Sequence, residues 1–328
     1  MNLDSRTSEL AAKHGANWKT ISGAKVLVGK GGKIIAGAGG KFANLADMGN
    51  KGANASGGRS FAFTEKSSME YWVGADKANE MAVLVNGAGL GELWTKHANE
   101  VPMIGDTKRI AYYDHNYGSI NFDRSKIKVG DKISYQTVIH EMSHAIDYKL
   151  DKGEGYSNKY KDGAFEKAIR ADVNTRLANK QAEMKVRLKE LAKQHTDAKE
   201  LTIALQKEGF IDASTLYQTQ EKIEKGKLPP VNAAAAGRAI AMEMKLKPIE
   251  TRKTCSDIYE GASGMKVKAG YGHSAAYWKS RRGALSNEAF ANMSSAKACN
   301  KAEYEMIKEY FPTAHKVYEE MVADMAKL

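Results

Sequence analysis

An α+β fold is predicted by two kinds of segment that follow one another along the chain. Apolar runs bounded by Gly and Asn, at 24–42 and 109–123, read as short strands. From Gly130 onward, apolar residues recur with the 3.6-residue period of helices. The 328 residues, 42% hydrophobic and 27% charged, exclude wholesale disorder and suffice for about two domains. No apolar stretch approaches the roughly 18 residues of a membrane helix, so no membrane span is expected. The opening MNLDSRTSELAAKHG has Asp4 and Glu9 but no apolar core, which predicts no signal peptide. Two cysteines, Cys255 and Cys299, allow at most one bridge and point to a reducing compartment.

Residues 1–64 form a basic arm. They carry nine Lys/Arg against three Asp/Glu, a net +6 of the total +11, and 12 of the 30 glycines. Within it, AKVLVGKGGKIIAGAGGKF predicts a hairpin around Lys30-Gly31-Gly32, followed by a Gly/Asn/Ser linker. A phosphate-binding loop is excluded, because Phe42 follows Lys41 where a Ser or Thr hydroxyl should meet magnesium. The arm suits docking to a partner protein, with nucleic acid the weaker choice because no aromatics interleave its charges. Next, glycine breaks in 67–100 suggest two short helices. RIAYYD (109–114) and SINFD (119–123) then read as strands joined by His115-Asn116-Tyr117-Gly118.

The stretch SYQTVIHEMSHAIDYKLDKG predicts one helix over 134–151. Ser134 is its expected N-cap, Val138, Met142, Ala145, Ile146 and Leu150 form an apolar stripe, and Gly153 marks the stop. Residues 163–228, with 13 Lys/Arg and 10 Asp/Glu, place Val173, Leu177, Met184, Leu188 and Leu191 at helical spacings. Pro229-Pro230 breaks that run before a second Ala/Met-rich helix, so 165–250 reads as a helical insertion between 65–164 and 251–328. The chain ends in two amphipathic helices hinged at Pro312.

The chemistry sits in His140-Glu141-Met142-Ser143-His144, an H-E-x-x-H string. Histidines four apart stand one above the other on a helix face, so both imidazoles can reach one zinc ion. Glu141 projects about 100° round the helix, where it can take a proton from water as general base. A catalytic zinc needs a third protein ligand and leaves a place for water. Asp147 shares the 140/144 stripe, and Glu288, in ALSNEAFANMSS, stands near a helix start that Ser286 could cap with Phe290 and Met293 turned to the core. The loop GYGHSAAYW offers Tyr271, His273 and Tyr277 as donors to an oxyanion, and Asp257 could orient a ligand histidine through its N–H or cap a turn.

HEMSHAID followed by NEAFANM resembles the gluzincin arrangement of the lethal-factor-like zincins, in which a glutamate in an E-x-F-A setting completes the zinc site. The resemblance implies His140, His144 and Glu288 as the ligands and a zincin-like metallopeptidase core split between 65–164 and 251–328. It also implies an edge strand just before the active-site helix, able to hold an extended peptide. The 144 residues from His144 to Glu288 exceed the family spacing, and removing 165–250 leaves 58. SDIYEGASGMKVKAGYGHSAAYW with NEAFANM also resembles the carboxy-terminal region of metallopeptidases encoded by tailed bacteriophages, and the basic hairpin resembles those of phage virion proteins.

Together these imply a zinc metalloendopeptidase with Glu141 as base and His273 and Tyr271 as catalytic donors. Its substrate is a protein or peptide, its partners are virion proteins met through the arm, and its location is the host bacterial cytoplasm and the virion. Two rival readings are a phage structural or ejected protein with a non-catalytic zinc site, and a basic nucleic-acid-binding virion protein.

Overall fold

The computed structural model describes residues 17–21, 24–28, 34–37, 61–63, 68–101, 103–106, 111–151 and 153–328. Helices dominate, and two three-stranded sheets make the chain α+β at the coarse level. It divides into two compact units. The first comprises Met1–Ser157, Phe290–Lys301 and Glu319–Leu328, and the second Asn158–Ala289 and Ala302–Tyr318. No helix among the described residues is long and apolar enough to cross a membrane.

In the first unit, β2 (Ala24–Val28) and β3 (Ile34–Gly37) pair antiparallel as the expected hairpin. An unforeseen strand, β1 (Asn17–Ile21), pairs antiparallel with the other edge of β2. The Lys30-Gly31-Gly32 turn, the Gly/Asn/Ser linker and the side chains of the nine basic residues lie outside the described residues. Three helices stand where the sequence suggested two: α1 (Ser68–Val73), α2 (Ala75–Gly87) and α3 (Gly91–His97), with a 3-10 turn at Ala98–Glu100. Gly74 at φ +88° separates α1 from α2, a backbone state that costs glycine little. Met81, Val85, Leu90, Leu93 and Trp94 are buried, and Phe61 and Phe63 meet the Trp94 ring edge-on.

The second sheet runs in the order β4-β6-β5, from β4 (Met103–Asp106), β5 (Tyr112–Asp114) and β6 (Ser119–Phe122). β5 and β6 form the expected antiparallel hairpin, with Tyr113 opposite Ile120. β4 was not foreseen, and its parallel pairing with β6 makes β6 a central strand. The strand just before the long helix is therefore not an edge, which corrects the expectation drawn from the zincin resemblance. Among the described residues, β4 and β5 are the outer strands of this sheet.

That helix, α4, runs Lys132–Leu150 over 19 residues. It starts two residues before the expected Ser134 cap because Asp131 caps it instead, accepting from the backbone N–H groups of Ile133 and Ser134 at 3.0 and 3.4 Å. An aspartate is the better cap, since its charge also suits the positive end of the helix. Ser134 lies inside the first turn and donates its hydroxyl to the Asp131 carbonyl at 2.8 Å. Buried Glu80 on α2 fixes the same corner, accepting from the Gly130 N–H at 2.6 Å and the Tyr135 hydroxyl at 2.5 Å. Burial, and after it Glu80, pushes the Tyr135 phenol well above its ordinary range. Val138, Met142, Ala145 and Ile146 are buried, as their spacing requires, while Leu150 is half-buried. The helix packs on β5 and β6, with Tyr148 stacked on Tyr113 at 5.6 Å. Asp131→Ala is expected to cost about 1 kcal/mol, read as a lowered urea midpoint.

The second unit is built on α6 (Ala164–Gln194), a single helix of 31 residues. It buries Val173, Leu177, Met184, Leu188 and Leu191, the residues whose spacing predicted it. α5 (Tyr156–Lys159) precedes it; α7 (Ala198–Lys207), α8 (Leu216–Glu224) and α9 (Ala233–Lys245) follow. α9 packs on α6, and its Ala236, Ile240 and Met244 are buried. α10 (Ile249–Ala262), α11 (Ala275–Ser280) and α12 (Ala284–Cys299) carry the remaining site residues. The expected pair of closing helices is α13 (Lys301–Tyr310) and α14 (Pro312–Met325), joined at Phe311-Pro312. Buried Asp172 of α6 accepts from the Thr313 and Ala314 N–H groups at 2.9 Å each, capping the start of α14.

Candidate metal centre

In the first unit, His140 and His144 stand one helical turn apart on α4, and their Nε2 atoms are 3.2 Å from each other. Two imidazole nitrogens on one tetrahedral zinc, each at about 2.0–2.1 Å, stand about 3.3 Å apart. The pair is thus already spaced for a shared ion, with the rings near-perpendicular at 86° and 4.7 Å between centroids. His144 is buried and His140 half-buried, which leaves one side open to water.

Glu141, between them in sequence, is 8% exposed, and its carboxylate has no hydrogen-bond or ion-pair partner among the described residues. A nearly buried carboxylate without a structural bond is costly to keep unless it serves a reaction. Asp147, the alternative ligand, is fully buried and occupied. Oδ1 accepts from the Ser157 N–H and Oδ2 from the Ser157 hydroxyl, each at 2.7 Å. It tethers the chain beyond the helix end, and no group among the described residues that could hold a metal includes it.

Glu288, in the second unit, is buried in α12, and Phe290 and Met293, farther along that helix and in the first unit, are buried as expected. Ser286 is not a cap, because the helix already begins at Ala284 and takes Ser286 into its first turn, where it is fully buried. The Tyr277 hydroxyl donates a short hydrogen bond to Oε1 of Glu288. Burial, and then the charge of Glu288, pushes that phenol far above its usual range. His273 Nε2 lies 3.9 Å from the same Oε1, and its Nδ1 lies 2.9 Å from Oδ1 of Asp257. The His273 N–H also donates to Asp257 Oδ1 at 2.9 Å, so Asp257 holds both backbone and ring. The histidine that these bonds hold is His273, which was not among the expected zinc ligands.

The Tyr271 side chain is half exposed, and its carbonyl, not its ring, is engaged, accepting from the Ser256 hydroxyl at 2.7 Å. The sequence reading placed His273 and Tyr271 foremost, whereas Tyr277 is the tyrosine bonded to Glu288. Only position relative to Glu288 distinguishes the two, and neither composition nor spacing carries that. Buried His and Glu groups able to bind a metal ion are therefore present, and their chemistry does not by itself name the metal. A scan against protein-family models and searches of curated proteins and of solved structures find no match to this chain.

Proposed function

We propose that the chain is a zinc metalloendopeptidase with a zincin-like core, in which His140, His144 and Glu288 hold the ion and Glu141 is the general base. The observation that carries this reading is the Nε2 pair spaced 3.2 Å apart on a helix that also presents a bond-free, nearly buried glutamate. Glu288 is the third donor that the sequence resemblance implies. Two imidazoles and a carboxylate are a ligand set suited to a catalytic zinc with an open position. A bound zinc ion would polarise the scissile carbonyl and lower the pKa of the attacking water.

The protein's own groups do the rest. Glu141 removes the proton from the attacking water and returns it to the leaving amine. The loop GYGHSAAYW offers His273, Tyr271 and Tyr277 as donors to the developing oxyanion. Association with a virion and docking through 1–64 rest on the sequence resemblance.

Zinc removal tests the reading. Dialysis against 1,10-phenanthroline is expected to lower hydrolysis of fluorescein-labelled casein at least about 100-fold, with activity restored by stoichiometric zinc. Cleavage that proceeds equally well after the metal is removed would sink it.

A further inference from the structure

We infer that the turn joining α9 to α10, together with the loop before α11, docks on the surface of an anionic lipid bilayer. Both segments lie wholly within the second unit, and neither includes a proposed metal ligand. The turn reads Lys245-Leu246-Lys247-Pro248-Ile249, and the loop carries Lys266, Lys268 and Tyr271. Leu246 is 85% exposed, and Met242 and Ile249 on either side of it are exposed too. The backbone stays helical at Leu246, with φ −70° and ψ −19°, so Leu246 stands one turn beyond Met242 on the same face. Pro248 then turns the chain into α10 and leaves the leucine at a projecting corner. One exposed apolar residue is ordinary, but three at one corner among cations mark a docking surface.

The cations belong to the same corner. Arg252 of α10 staples the two segments, its Nε donating to the Lys247 carbonyl at 3.2 Å and its Nη1 to the Ala269 carbonyl. A Cβ on Gly270 would stand 3.7 Å from Lys245 Cε and 4.0 Å from Arg252 Nη1, so the lysine stem lies along the loop. Val267 and Ala269 are fully buried, while Lys266 and Lys268 between and before them stay exposed. Lys245, Lys247, Lys266 and Lys268 have no ion pair among the described residues. The carboxylates nearby do little to offset them. Glu243 is paired with Lys180 at 2.7 Å, Asp257 and Glu260 are buried, and Glu250 is exposed. Five cations therefore face one exposed carboxylate.

Charge alone would suit any polyanion, and the apolar corner decides among them. A nucleic acid backbone would meet the lysines but give Leu246 and Ile249 nothing to bury in. An acidic protein would need a pocket shaped to the leucine. An anionic bilayer satisfies both halves of the surface, because its headgroups attract the cations and its acyl boundary accepts an apolar side chain without a preformed pocket. Tyr271, half exposed on the loop, has the apolar ring and polar tip that suit the same depth, and the Ser256 hydroxyl fixes its carbonyl at 2.7 Å.

Flotation of the full-length chain with lipid vesicles tests the surface. Wild type is expected to float with phosphatidylcholine vesicles holding about 30% phosphatidylserine and not with phosphatidylcholine alone. Lys245→Gln with Lys247→Gln should weaken binding about 25-fold, at about fivefold for each lysine. Leu246→Ser leaves the charge unaltered and should still weaken it at least about fivefold. The basic arm of 1–64 adds the same attraction to every variant, so the differences among variants belong to the turn. All three positions are exposed, and circular dichroism confirms that each variant folds. Equal flotation of wild type and both variants overturns the proposal. So does binding that the lysine variant loses and Leu246→Ser keeps, which would make the surface purely electrostatic. A fluorescein-labelled single-stranded oligonucleotide, read by anisotropy, covers the rival ligand. Oligonucleotide binding that depends on Lys245 and Lys247, in a chain that does not float with anionic vesicles, assigns the surface to nucleic acid and overturns the bilayer.

Discussion

Glu141→Gln is expected to lower peptide hydrolysis by about 10²–10⁴-fold, the usual contribution of a positioned general base, while zinc content stays at the wild-type level. Glutamine has nearly the same shape but cannot accept the proton of the attacking water. Nothing else should be lost, because the Glu141 carboxylate bonds to no other described residue and is only 8% exposed. Its replacement by a neutral amide removes a buried charge, so the thermal midpoint should be unchanged or higher, as when activity is held at the expense of stability. The checks are kcat/KM on a fluorogenic peptide, zinc by mass spectrometry and a thermal melt. Wild-type rates from the glutamine variant would mean that the proton goes elsewhere.

Much of this was legible because helices announce themselves by period. The spacing of Val173, Leu177, Met184, Leu188 and Leu191 foretold a buried face of α6, and Val138, Met142 and Ile146 did the same for α4. The β5–β6 hairpin was visible for a similar reason, since Asp114 accepts from the Asn116 N–H within its turn and Gly118 closes it at φ +61°. β4 was not visible. It is four residues long, and its pairing with β6 is parallel and distant in sequence, so no local turn signals it.

The caps were misplaced where two candidate residues stood close together. Asp131 and Ser134 are both good caps, and the bond from Gly130 to Glu80 on α2 anchors the chain just ahead of Asp131. At the site, the H-E-x-x-H string carried both its histidines and their spacing. The Asp257–His273–Tyr277 arrangement around Glu288 depends on α10, the loop and α12 meeting in space, which only the fold determines.

The same contrast separates the two candidate third ligands, Asp147 and Glu288, by opposite outcomes. Asp147→Ala is expected to cost about 3 kcal/mol, because a charged acceptor of two short bonds is lost and the Ser157 N–H is left buried without it. Zinc affinity should change little. Glu288→Gln keeps an acceptor oxygen for the Tyr277 hydroxyl and hence most of the stability. It removes an anionic ligand, and zinc binding should weaken at least about 100-fold, beyond what loss of a supporting hydrogen bond causes. Urea midpoints and zinc titrations against a competing chelator read the two quantities separately. Zinc lost from Asp147→Ala with the fold intact would move the third ligand to α4. A destabilised variant that still binds zinc fixes Asp147 as the clasp that holds the end of α4 to Ser157.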